Sequence, residues 1–260
     1  MLEALLKRDR LVIALALALL TALAWWAVLQ GAGTGMSAST MTTWQFPPPR
    51  VEPSPGAWNA GYWLTMLAMW CIMMIAMMLP SVTPTVLAFA SVHRKRREEQ
   101  RPFVPTGFFL AGYLLAWAAF SLIATLLQAL FHHLSFMSPT MESIHHIFAA
   151  MILLVTGIFQ FTSFKKACLI HCQNPLDFVI TKWKEGKCGA LRMGVQHGLF
   201  CIGCCWLLMA LLFVVGVMNL LWVAILALFV LLEKLINSSE WLRYVAGGAL
   251  ILWAIYVFNP

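Results

Sequence analysis

The chain has 260 residues, of which 62% are hydrophobic and only 10% charged, against about 25% charged in an ordinary soluble domain. Its net charge is +7, but the basic residues sit in clusters between apolar runs and form no continuous stripe, which excludes a nucleic-acid-binding face. Seven cysteines, an odd number with none in a long outer segment, exclude a disulfide framework.

A mean hydropathy of +0.83 is carried by stretches long enough to cross the roughly 30 Å hydrocarbon core of a bilayer. They lie at 11–30, 62–89, 105–131, 143–163, 193–215, 218–236 and 241–258. Seven transmembrane helices are therefore expected, in one membrane domain spanning residues 1–260. Lys7, Arg8 and Arg10 precede the first run, which is too long for a signal-peptide core and reads as an uncleaved anchor. Sixteen of the seventeen Lys and Arg fall on alternate loops, Arg50 being the exception. That bias places the N-terminus in the cytoplasm and the C-terminus outside. The predicted fold class is an all-α polytopic membrane helix bundle. Residues 31–61, rich in Gly, Ser, Thr and Pro, read as an extended outer loop.

The second run carries six Met in thirteen residues, between Met66 and Met78. Cys71, Met74 and Met78 follow i, i+3, i+7 on one face, while Met69, Met73 and Met77 make a second stripe. Thioethers and thiols are soft donors that suit Cu(I), although Met is equally a flexible packing residue. Pro80 and Pro84 are expected to kink or end this helix and free carbonyl groups that must be satisfied internally.

The second outer loop and the start of the fourth run hold His132, His133, Met137, Met141, Glu142, His145 and His146, with no Lys or Arg. Glu142 reaches His145 at i+3 and His146 at i+4, a spacing that suits a divalent metal or copper, or simple capping of the helix. The segment 165–192 reads as a cytoplasmic loop bearing Cys168, His171, Cys172 and Cys188. Its thiols, beside Lys165 and Lys166, are metal-ligand candidates whose spacing is not that of zinc-finger pairs.

The fifth run contains His197, Cys201, Cys204 and Cys205 at i, i+4, i+7, i+8, on one helical face near mid-membrane depth. A thiol cluster beside an imidazole suits a soft metal ion, and the alternative is that small residues ease helix packing. Cys204 and Cys205 are adjacent and diverge by about 100° on an ideal helix. A second helix must therefore close any site, and Cys71, Met74 or Met78 are the expected closers, with Gly198 and Gly203 letting the two backbones approach. Glu233 and Lys234 end the sixth run and are expected to pair with each other or snorkel to the interface.

Taken together these residues resemble a bacterial family of predicted metal-binding integral membrane proteins that carries a domain-of-unknown-function label. The matching stretches are Trp70 with 73–80, Lys165, Cys168, Cys172 and Pro175, then 194–209 with Gly203, Cys204, Cys205 and Trp206, then Gly216, Met218, Asn219, Trp222, Glu233 and Lys234. They span most of 63–236. The resemblance implies a helix bundle, metal binding and a bacterial inner (plasma) membrane, and it implies no reaction.

The expected function is handling of a soft metal ion, copper first and another soft or borderline metal second. The ion would be transported or delivered to a membrane or periplasmic metalloprotein. No phosphate-binding G-x-x-x-x-G-K-[ST] motif occurs, which argues against an ATP-driven pump. Two alternatives remain. A quinone-linked thiol oxidoreductase would use Cys201 and Cys204 but lacks an outward-facing second pair. A structural assembly partner would use the thiols only for packing.

Overall fold

In hydrocarbon every backbone N–H and C=O must be bonded within its own segment, and helix is the way a single segment does this. A computed structural model describes residues 2–34, 41–42, 58–98, 106–134, 146–236 and 240–258, and every regular element among them is helical. The helices are α1 Leu2–Leu29, α2 Ala60–Glu98, α3 Thr106–His133, α4 His146–Gln160, α5 Ser163–Gln173, α6 Pro175–Thr181, α7 Gly186–Ala210, α8 Leu212–Val215, α9 Leu220–Leu235 and α10 Glu240–Phe258. Among the described residues, five spans are long and apolar enough to cross a bilayer: α1 from Arg10, α2 to Arg94, α3, α7 running on to Val215, and α10. α4 and α5, bent by 65°, meet that criterion only as a pair. The architecture is an all-α membrane helix bundle.

Two of the seven expected spans differ from expectation. Residues 218–236 give only the 16-residue α9, about 24 Å long at 1.5 Å per residue and short of the hydrocarbon core. The run is broken at its start by Gly216, whose φ of 96° ends α8, and by extended Asn219. The fourth run stops at Gln160, and Thr162 caps the next helix by accepting from the Lys165 amide. The segment 165–192, expected as a cytoplasmic loop, is instead α5, α6 and the first turns of α7. α5 lies against α7, so Cys168 and Cys172 are buried.

α2 neither ends nor breaks at its prolines: it runs continuously through Pro80 and Pro84. Carbonyls in that stretch take side-chain donors. Ser81 Oγ and Tyr113 Oη reach Met78 O at 2.9 and 3.3 Å, and Thr83 Oγ1 reaches Leu79 O at 3.0 Å.

α7 is the central helix, and α3 is pressed directly on it. A side chain at Gly112 would run into Leu191 O, and one at Gly194 into Phe109 O. The two backbones therefore touch where glycine allows it. Gly198 meets Ala116 on α3, and Gly203 faces the Cys168 sulfur on α5. The small residues of α7 thus admit α3 and α5, and not α2 as the sequence suggested. α2 packs instead on α1, α3, α6 and α9.

Candidate thiol site

Cys201, Cys204 and Cys205 are almost wholly buried on α7. Cys204 and Cys205 each donate to Cys201 O, at 3.0 and 2.9 Å. These are ordinary back-bonds of one helix. The fourth thiol comes from elsewhere: the 65° bend after α4 swings α5 back, and Cys172 comes to lie beside Cys201 and Cys204. Cys205 completes the cluster through contacts with Cys201 and Cys204. Cys168, one turn before Cys172, lies over Gly203.

The second helix that closes the thiol face is therefore α5. The expected closers on α2 are placed differently. Met74 and Met78 are buried in the core and Cys71 is half-buried. Met78 borders the site through its main-chain carbonyl, which accepts from Tyr113. Met69 and Met73 face a narrow cleft with Val28, Val217 and Met218. The α2 side chain that does reach the site is Ser81, ten residues and about 15 Å along the helix from Cys71.

Lys234 supplies the charge. Its ammonium is buried and donates to Cys201 Sγ at 2.8 Å and to Ser81 Oγ at 3.0 Å. On the other side of the same thiol, Tyr113 Oη stands 3.2 Å from Cys201 Sγ. Cys201 is thus held by α7, α9 and α3 at once.

Glu233 and Lys234 neither pair with each other nor snorkel. Successive residues of α9 point apart, and Glu233 instead meets Lys165 at 2.7 Å with both side chains at 0% exposure. Gln160 Oε1 accepts a further hydrogen bond from Lys165 Nζ. Lys165 is therefore committed to a carboxylate, and Lys166 makes a surface pair with Glu240. The ammonium on the thiols is Lys234, not the two lysines that flank Cys168 in sequence.

His197 is buried among aromatic rings, with centroids 4.9 Å from Phe178, 6.0 Å from Tyr113 and 6.1 Å from Phe109. Its Nδ1 has no hydrogen-bond partner. It lies one turn before Cys201. His171 packs 4.2 Å from Phe200. Cys188 is exposed. His146 is exposed at the start of α4, while Glu142 and His145 lie outside the described residues. Among the described residues, no group of three or more His, Cys, Asp and Glu side chains is disposed to hold a metal ion. In the arrangement seen, the α7 thiols are engaged by main chain, Tyr113 and Lys234.

Tyr113, Ser81 and Gln160 were not singled out from sequence, and Lys165 and Lys234 were given other partners. The available signal was weak: single polar residues within apolar helices face inward toward one another.

No curated protein and no solved structure matches the chain. A family model described as "PpoB2: Copper chaperone" matches residues 67–257, most of the chain and every helix from α3 to α9. The chain belongs to that copper-chaperone family.

Proposed function

We propose that this member of a copper-chaperone family holds Cu(I) on thiols of the Cys172, Cys201, Cys204 and Cys205 cluster and passes it to a copper-using protein. The recipient is a membrane or periplasmic metalloprotein, and the bundle sits multi-pass in a bacterial inner membrane. The observation that carries the reading is the return of α5 to α7, which sets Cys172 against Cys201 and Cys204 in the buried core. Thiolate sulfur is the donor that selects Cu(I) over harder ions. Copper is the cargo here, and ligand exchange between neighbouring thiols is the means by which such a site both accepts and releases it.

His197, Cys168 and His171 border the cluster as subsidiary ligands. Met74, Met78 and Cys71 on α2 are subsidiary ligands for an ion entering from the outer side. Glu142, His145 and His146 form an outer receiving site for copper or a borderline metal. The family description weighs against the quinone-linked thiol oxidoreductase, and the buried Lys234 on Cys201 is a costly feature for a thiol face that only packs.

Metal content of the full-length protein in detergent, measured by mass spectrometry after copper loading under reducing conditions, tests the proposal. Wild type is expected to retain copper, and the Cys204→Ser/Cys205→Ser double variant to lose most of it. Equal copper in both, or none in either, would overturn the reading.

A further inference from the structure

We infer that Lys234 sets the charge selectivity of the thiol site, matching it to a monovalent soft ion held by two thiolates. The inference rests on the copper reading above and names the residue that makes it selective. Three observations lead to it. Lys234 is only 5% exposed, and its ammonium donates to Cys201 Sγ and Ser81 Oγ. The buried charges beside it, Lys165 and Glu233, are already paired with each other at 2.7 Å. The thiols that meet across α5 and α7 offer a sulfur from each helix, with Cys172 against Cys201 and Cys204.

A low-dielectric core tolerates a cluster of ions only when their charges cancel. A thiol that ligates a metal gives up its proton. Two thiolates and one Cu(I) or Ag(I) sum to −1, and the Lys234 ammonium brings the total to zero. The same two thiolates with a divalent ion sum to zero without the lysine, and +1 with it. A third thiolate would restore balance for the divalent ion, but no three-donor group is disposed for this among the described residues. Lys234 therefore favours the monovalent ion and opposes the divalent one.

The experiment compares Ag(I), a redox-inert counterpart of Cu(I), with Cd(II) on purified full-length protein: wild type, Lys234→Met and Lys234→Arg. Removing the charge is expected to weaken Ag(I) binding by about thirtyfold or more, the lower end of what truncating one partner of a buried charge pair costs. Cd(II) affinity should hold or rise in Lys234→Met, and Lys234→Arg should keep the wild-type preference. Unchanged Ag(I) affinity in Lys234→Met, in a protein whose wild type binds Ag(I), overturns this inference and leaves the copper reading standing. A wild type that binds neither ion overturns both. Should Lys234→Met not fold, X-ray absorption on the Cu(I)-loaded wild type decides: two sulfur neighbours support the inference, and three or four overturn it.

Discussion

Glu233→Gln should be among the most damaging single polar substitutions in this protein. It removes the negative charge 2.7 Å from Lys165 in a pair that is 0% exposed on both sides, so solvent screening gives no relief. The residual partner, Gln160, offers one carbonyl oxygen to an ammonium that then sits in the core uncompensated. Breaking a buried pair from one side costs about 3–5 kcal/mol. At roughly 2–4 °C per kcal/mol for a chain of this size, the apparent melting temperature should fall by about 6–20 °C. Lys165→Met leaves the carboxylate stranded and should cost a similar amount. The double variant Lys165→Met/Glu233→Gln removes both charges and should recover most of the loss, because the pair as a whole is close to neutral against apolar replacements. Circular dichroism melts of the four proteins in one detergent give the coupling directly. Glu233→Gln melting with wild type, or a double variant no better than the worse single, would refute the reasoning.

Three further outcomes follow from particular contacts. Gly194→Leu drives a side chain into Phe109 O where α3 and α7 touch, so folded yield in detergent should collapse, while Gly248→Ala, with open space around it, should leave it unchanged. A membrane-permeant maleimide should label exposed Cys188 in the native protein and reach Cys168 and Cys172 only after denaturation; rapid native labelling of all three would contradict the burial of α5. Reporter fusions after Arg97 and Ser138 should report cytoplasm and exterior respectively, as the distribution of Lys and Arg requires.

Helix content and the positions of most membrane segments were legible because apolar length is a strong one-dimensional signal. α1, α2, α3, α7 and α10 fall where the runs of hydrophobic residues put them. The thiols at 201, 204 and 205 were legible as one helical face for the same reason, since 3.6-residue periodicity is local. What was not legible depends on contacts between distant elements. The basic, polar stretch from Lys165 to Arg192 reads as a loop, and nothing local says that Glu233, sixty-eight residues beyond Lys165, draws Lys165 into the core. The packing of α5 on α7, with Gly203 against the Cys168 sulfur, moves Cys168 and Cys172 from the aqueous face to the thiol cluster. Glu233 and Lys234 show the same limit. Adjacent opposite charges suggest a pair, yet helical geometry sends them to different neighbours on α5 and α7. The prolines of α2 also mislead locally, because the helix runs on through both of them inside the packed bundle.

The central claim is that the site joins α5 to α7 through Cys172 and the α7 thiols, with copper as its cargo. An anaerobic Cu(I) competition titration against a chromogenic chelator, on wild type, Cys172→Ser and Cys188→Ser in the same detergent, tests it most directly. The account predicts tight binding in wild type, undiminished binding in Cys188→Ser, and a loss of about tenfold or more in Cys172→Ser, at 1.4 kcal/mol per factor of ten for one lost sulfur ligand. Matching affinities for Cys172→Ser and Cys188→Ser would contradict it, because the thiols brought together by the fold would then not be the thiols that hold the metal.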